Sequence, residues 1–146
     1  MKKSYLTLLI LTSLLVSCDK FEDGGYLYQS SKNLRGAWDY EQVTVNGQEL
    51  SDSAFYARYR NSYIVFDEGS QVHFFWHDVD TAINEQIGTY VFNYNKKKMN
   101  IVFDAYPLDD QVWLMDKLTK EELWYTFQPS DDETCHVHLL KRKKEK

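Results

Sequence analysis

The sequence predicts an all-β domain, because apolar and polar residues alternate with a period of two from Leu34 onward. Turn signals recur about every 8 to 12 residues, which is typical of an antiparallel barrel or sandwich. The 146 residues are 43% hydrophobic and 27% charged, a balance that fits one globular domain. With 11 Tyr and 8 Phe against 6 Gly and 2 Pro, collagen-like and Pro-rich classes are excluded.

The first strand is expected over residues 36–45, ending at Asn46-Gly47, a dipeptide that tolerates the positive φ of a tight turn. A short helix is expected next, over 52–60. Ser51 can cap its first turn, and Asp52 suits the positive end of the helix dipole.

Seven more strands complete the expected eight. Each shows alternating apolar residues bounded by turn residues. They are expected over residues 62–66, 71–77, 87–94, 99–104, 111–118, 123–128 and 134–141.

The N-terminus has the layout of a secretory signal, with Lys2-Lys3, an apolar run over 5–16, and Ser17-Cys18. The run is shorter than the about 20 residues that span a bilayer as a helix. Leu15-Val16-Ser17-Cys18 resembles the lipobox of bacterial lipoproteins. This resemblance implies cleavage of residues 1–17 and acylation of Cys18; the alternative is an ordinary secretory peptide.

An acylated Cys18 would anchor the protein to a membrane without spanning it. Residues 18–33 lack periodicity and are expected to form a flexible tether. The charges that follow Cys18 resemble a lipoprotein export signal, which implies a cell-envelope location on the outer membrane, periplasmic or surface-exposed. In other bacteria Asp19 would instead retain the protein at the inner membrane, so the leaflet stays open.

The formal net charge is −5, and cleavage of the signal would remove two lysines and no acid. This acidity argues against nucleic acid as a partner. The basic tail at 142–146 is expected to be a solvated end. Once Cys18 is acylated only Cys135 remains, so no intramolecular disulfide is expected.

Four short motifs, in this order along the chain, resemble those of the lipocalin-like domains found in small bacterial lipoproteins. They are Gly36-Ala37-Trp38, Val43-x-Val45-Asn46-Gly47, Gly88-Thr89-Tyr90 and Leu118-Thr119-x-x-x-Leu123. The resemblance covers about residues 34–141 and implies an eight-stranded antiparallel lipocalin-like barrel. An unrelated antiparallel barrel or sandwich is the alternative.

In lipocalins the tryptophan of the G-x-W motif packs at the closed end of the barrel beneath a basic residue. The resemblance therefore implies structural roles for Gly36 and Trp38, with Lys141 or Arg142 as the cation partner. The span is short for a lipocalin, and no Cys pair ties the C-terminal segment to the barrel.

No catalytic motif is present, and we expect neither an enzyme nor a bound cofactor. His136 and His138 share one face of the last strand, as two metal ligands would, but further ligands are missing from the pattern. We therefore expect no metal site and solvent-facing histidines. Cys135 is expected to be a small core residue.

Two functions remain. The first is a binding protein that holds a small hydrophobic ligand inside the barrel. The residues expected to contact it are Phe74, Trp76, Tyr90, Phe92, Met99 and Ile101. The second is a filled barrel that acts as a protein-interaction module, such as an envelope accessory subunit or an inhibitor of a secreted enzyme. Outward aromatics, among them Phe75 and one of Trp113 and Trp124, would form its contact surface.

Overall fold

The chain forms a closed antiparallel barrel preceded by a short helix. A computed structural model describes residues 30–77, 83–93, 97–105 and 107–143. Two helices are present in these ranges, α1 (Ser30–Leu34) and α2 (Asp52–Tyr59). The strands are β1 (Gly36–Val45), β2 (Gln48–Glu49), β3 (Tyr63–Phe66), β4 (Gln71–His77), β5 (Ile83–Phe92), β6 (Lys98–Phe103), β7 (Gln111–Leu118), β8 (Glu122–Ser130) and β9 (Glu133–Lys141).

Strand pairing confirms the predicted fold class. The order is β2-β1-β3-β4-β5-β6-β7-β8-β9, and β1 also pairs with β9, so eight strands close into a barrel. Every pairing is antiparallel, from Gly36 opposite Phe66 at one seam to Trp38 opposite Lys141 at the other. The two-residue β2 only extends the end of β1. Closure leaves one inward and one outward face for each strand.

The turn after β1 follows the sequence prediction. Asn46 and Gly47 have φ of 50° and 79°, which a turn between two antiparallel strands requires. The Asn46 side chain accepts a hydrogen bond from the Thr134 amide (2.8 Å) and donates one to the Asp132 carbonyl (3.1 Å). This turn is therefore joined to the turn between β8 and β9.

Helix α2 begins where predicted and ends one residue earlier. The Ala54 amide donates to the Ser51 hydroxyl at 3.4 Å, which caps the first turn. The helix ends before Asn61, whose positive φ of 63° leaves the helical region. No residue of α2 is fully buried, although Phe55 and Tyr59 pack partly against the core. The helix therefore lies over one side of the barrel end.

Strand β5 begins at Ile83, four residues earlier than predicted. Residues 84–86 are polar, so their sequence does not read as a strand, yet Gln86 points inward and is buried. Hydrogen bonds to a neighbouring loop compensate for that burial. The predicted last residue of this strand, Tyr94, lies outside the described residues. Of the other strands, β1, β4 and β7 have the predicted bounds, and the rest differ by one or two residues.

The closed end of the barrel is built around Trp38. Its indole is fully buried, and its Nε1 donates to the Leu34 carbonyl of α1 at 2.6 Å. The Lys141 ammonium lies 4.6 Å from the centre of the indole and donates to the Asn33 carbonyl at 2.6 Å. The cation over Trp38 is thus Lys141. A side chain at Gly36 would approach Lys141 Cε to 3.0 Å, and the residue has a positive φ of 114°.

Arg142 is placed elsewhere. Its guanidinium lies 4.1 Å from the ring centre of Tyr63 and pairs with the Asp39 carboxylate. Alternation along the strand explains this, because consecutive residues point to opposite faces. Lys141 points toward Trp38, and Arg142 therefore points outward, so Arg142 is not the cation partner of the tryptophan.

The tether predicted over 18–33 is corrected at its last four residues. Ser30–Leu34 is the helix α1, and Leu34 is fully buried. The main-chain carbonyls of Asn33 and Leu34 are held by Lys141 and Trp38, contacts that a local sequence pattern does not reveal. The rest of the predicted tether, residues 18–29 with Cys18, lies outside the described residues. So do the predicted signal, residues 1–17, and residues 144–146 of the predicted basic tail.

We expect Lys141→Met to lower the free energy of unfolding by about 1–2 kcal/mol, since it removes a cation–π contact and a hydrogen bond to a main-chain carbonyl. Urea unfolding followed by tryptophan fluorescence measures the change. Lys120→Met, at an exposed position in the β7–β8 turn, is the matched control. Equal stabilities of the two variants would contradict this role of Lys141.

Candidate functional site

The barrel holds a cavity of about 460 Å³ at the end opposite α1, where the β1–β3, β4–β5, β6–β7 and β8–β9 connections lie. This open end is where α2 is also found. Apolar and aromatic side chains form most of the deeper walls. They include Tyr40, Tyr59, Phe74, Trp76, Leu108, Tyr125, Phe127 and Val137.

The six residues predicted to contact a ligand separate into two groups. Phe74 and Trp76 line the cavity. Tyr90, Met99 and Ile101 are buried in the core, and Phe92 packs partly against it; none of these four lines the cavity. These four residues share the inward face with Phe74, but they are packed in or against the core and do not border this cavity.

Trp113 packs in the core behind the cavity wall. Its fully buried indole stacks on Tyr125, with ring centres 3.6 Å apart and planes at 6°. The rings of Phe66 and Phe74 contact it edge-to-face, with centres at 6.2 and 5.9 Å. Its Nε1 donates to the Gln111 amide oxygen at 2.8 Å. Tyr125 borders the cavity and Trp113 does not, so this stacked pair lies where the packed core meets the cavity.

One side of the cavity carries a cluster of hydrogen-bonding groups beneath α2. The rings of Tyr40 and Tyr59 lie 4.8 Å apart, and the phenol of Tyr125 is close enough to both for their charges to raise its pKa. Cys135 lies in the same wall. Arg58, in the last turn of α2, places its guanidinium 5.9 Å from the Tyr59 ring centre. We call these five residues the phenol–arginine side.

The phenols and the thiol of this side stay neutral at physiological pH. Burial raises the pKa of Tyr40 and Tyr125, and each of the two is raised further by neighbouring phenols. Burial also raises the pKa of Tyr59 and of the Cys135 thiol, while the positive charge of Arg58 opposes both shifts. The cluster thus offers neutral hydroxyl groups beside a permanent positive charge.

The facing wall is the β6–β7 connection, and a buried glutamine holds it in place. The Leu108 amide donates to Gln86 Oε1 at 2.9 Å, and Gln86 Nε2 donates to the Ala105 carbonyl. The Asp110 carboxylate accepts from the Phe103 amide at 3.0 Å. Pro107, Leu108, Asp109 and Asp110 are thereby positioned along the cavity.

The sequence analysis missed the phenol–arginine side and Gln86. Tyr40 and Val43 both face inward because a bulge between Tyr40 and Gln42 shifts the register of β1 against β9. The large residues at positions 38, 40, 43 and 45 are two, three and two residues apart, and the spacing of three reflects that bulge. Gln86 gave no signal, because a polar residue in a polar stretch reads as exposed.

Outside the cavity, the last strand has the predicted parity. Cys135 and Val137 are buried and face inward, while His136 is exposed on the outer surface. His136 Nδ1 lies 2.8 Å from the Thr126 hydroxyl, which donates to Asp116 at 2.7 Å. The ring of His138 packs on Trp124, with centres 4.7 Å apart. Within residues 30–143, gaps excepted, no group of three or more His, Cys, Asp or Glu side chains is placed to hold a metal ion.

Two comparisons of the sequence found nothing: no family model matches the chain, and no curated protein does. Solved structures do match. A lipocalin-like protein from Bacteroides uniformis aligns at a TM-score of 0.53 and 10% identity, covering 75% of this chain and 99% of that one. The fold is lipocalin-like.

Two further solved structures are similar to this lipocalin-like barrel. An uncharacterized protein from Bacteroides eggerthii aligns at a TM-score of 0.52 and 8% identity, over 75% of this chain and 99% of its own. The odorant-binding protein from bovine nasal mucosa aligns at a TM-score of 0.47 and 15% identity, covering 78% of this chain and 74% of that one. At these identities the likeness concerns the fold.

No helix among the described residues is long and apolar enough to cross a bilayer.

His138 should make the lipocalin-like barrel less stable in acid. Burial lowers its pKa below 6.5, an effect that Glu122 and Glu41 partly oppose, and its Nε2 is buried with no hydrogen-bond partner in the described residues. As the pH falls through 6.5 the unfolded chain binds the proton more readily, so stability is lost.

Replacing this imidazole with an uncharged side chain removes the effect. We expect His138→Gln to reduce the stability difference between about pH 7.5 and about pH 5.5, measured by urea unfolding at each pH. His77→Gln, at the opposite end of the barrel, is the control. An unchanged pH dependence in the His138 variant would contradict the assignment.

Proposed function

We propose that this protein is a binding protein that holds a small hydrophobic ligand in the open end of its lipocalin-like barrel. The cavity at this open end is the observation that carries the proposal. Its volume of about 460 Å³ falls within the range of about 300–1,000 Å³ that is typical of small-molecule sites. A barrel filled along its whole length would have no room for a ligand.

The walls of the cavity favour an apolar ligand body. Trp76, Phe127 and Leu108 are partly buried and pack against the core while bordering the cavity. Aromatic side chains bury large areas and keep few rotatable bonds, so they contact a ligand at low entropic cost. No reactive motif accompanies them, and we therefore propose binding and not catalysis as the activity.

The proposed location is the cell envelope, with a lipid anchor at Cys18. The basic and then apolar N-terminus followed by Leu15-Val16-Ser17-Cys18 supports this part of the proposal. A diacylated cysteine would hold the barrel at a membrane surface, and the export signal resemblance favours the outer membrane. Mass spectrometry of the protein purified from its own membranes tests it, since acyl chains on Cys18 add a defined mass.

Native mass spectrometry tests ligand binding directly. The purified protein is incubated with a lipid and metabolite extract from its source cells, then sprayed under non-denaturing conditions. We expect a stoichiometric adduct that dissociates on collisional activation. A bare protein mass across repeated extracts would count against a ligand-holding barrel.

Trp76→Ala should weaken the binding of an apolar probe by about tenfold, because it removes a large wall of the cavity. A neutral naphthylamine dye, whose emission rises in apolar surroundings, measures the affinity. Trp124→Ala, on the outer face of β8, should leave the affinity unchanged. Equal affinities in both variants, with folding intact, would place the probe outside this cavity.

A protein-interaction role is the second candidate, and an outer surface favours it. Six aliphatic side chains are exposed on adjacent strands β5, β6 and β7: Ile83, Ile87, Val91, Val102, Val112 and Leu114. Val91 is 65% exposed, and the register places Val91, Asn100 and Val112 side by side. Exposed apolar surface of this kind often marks a contact with another protein. Of the two tryptophans considered for an outward surface, Trp113 is buried and Trp124 is 39% exposed.

A further inference from the structure

The open end of the barrel is electrically divided. Around the ring of eight strands, α2 lies between β1 and β3, whereas the β6–β7 connection lies half a turn away. Arg58 therefore borders the cavity on one side, and Asp109 and Asp110 border it on the other. A ligand that enters between them meets a positive and a negative side, so its charge would decide its orientation.

The positive side also carries the free hydrogen-bond donors. Tyr40 and Tyr125 both line the cavity, and each phenol carries one hydroxyl proton. The pair can therefore donate a hydrogen bond to a ligand oxygen. Tyr59, whose ring lies between Tyr40 and the Arg58 guanidinium, adds a third phenol. Donors next to a guanidinium suit an oxyanion, since charge-assisted hydrogen bonds are the stronger kind.

The acidic side is less available to a ligand. The Asp110 carboxylate is engaged by the Phe103 amide, and Asp109 is exposed to solvent. The Gln86 amide is likewise used up in holding the Leu108 and Ala105 main chain. A cationic head group would find two solvated carboxylates there, one of which already accepts from the Phe103 amide, and no hydroxyl groups comparable to the phenols.

Building on the proposed function, we propose that the ligand is an amphiphile with an anionic head group, of the chemical class of an aliphatic carboxylate. Its head group binds at the phenol–arginine side, between Arg58 and the Tyr40–Tyr125 pair. Its apolar tail lies against Phe74, Trp76 and Phe127. The tail supplies burial, and the head group supplies orientation and selectivity.

Competition with the neutral naphthylamine dye tests the head group. Decanoate and decanol have the same chain length and differ in charge, and decyltrimethylammonium reverses the charge. We expect decanoate to displace the dye at about tenfold lower concentration than decanol, the effect of one charge-assisted contact. Because Arg58 is exposed, this preference should shrink as salt is raised.

Arg58→Gln should abolish the preference for decanoate, so that decanoate and decanol displace the dye at similar concentrations. Arg60→Gln is the matched control, since Arg60 directly follows the same helix. Its guanidinium lies over the Tyr56 ring, and the residue does not line the cavity. Both positions are exposed, so neither variant should alter folding. A preference that survives Arg58→Gln would overturn the assignment.

The outcomes separate this inference from the function beneath it. If decanoate and decanol compete equally, or the ammonium competes best, the anionic head group is wrong while the binding function stands. If the dye does not bind and none of the three amphiphiles gives an adduct by native mass spectrometry, the proposed function itself fails.

Discussion

The stacking of Trp113 on Tyr125 divides the interior of this barrel. Phe66 and Phe74 pack against the indole edge-to-face, with interplanar angles of 80° and 77°. Full burial would leave its N–H unsatisfied, and the Gln111 side chain, two residues earlier on the same strand, accepts a hydrogen bond from it. On one side of the stack Trp113 belongs to the packed core with Met99, Ile101 and Trp38. On the other side Tyr125 borders the cavity.

The same residue shows what the sequence could predict and what it could not. Alternation correctly placed Phe74 and Cys135 inside and His136 outside, because parity along a strand determines the face. It does not determine height along the barrel axis, which depends on the stagger between strands. Tyr90, Met99 and Ile101 therefore had the predicted face, but they lie in the packed core and do not border the cavity. The predicted strand bounds held best where strands alternate strongly, as in β4 and β7.

Long-range contacts account for the remaining differences. The helix α1 follows from the hydrogen bonds that Trp38 and Lys141 make to its carbonyls, over 100 residues apart in the case of Lys141. Gln86 is buried because the β6–β7 connection packs against it, with the Leu108 amide donating to its side chain. The bulge that turns Tyr40 inward is a property of the β1–β9 pairing and not of β1 alone. Local patterns predict elements, whereas these features depend on which elements meet.

The pairing of β1 with β9 joins the first strand of the barrel to its last. Asp39 and Arg142 are 103 residues apart, so this seam cannot form until nearly the whole domain has been synthesised. Closing so long a loop costs entropy that is recovered only when the seam packs, and non-local pairing of this kind slows folding. Until that moment β1 and β9 are unpaired edges that carry Val43, Val137 and Leu139 toward water. The last step of folding, closure of the barrel, can therefore take place only after β9 has been synthesised.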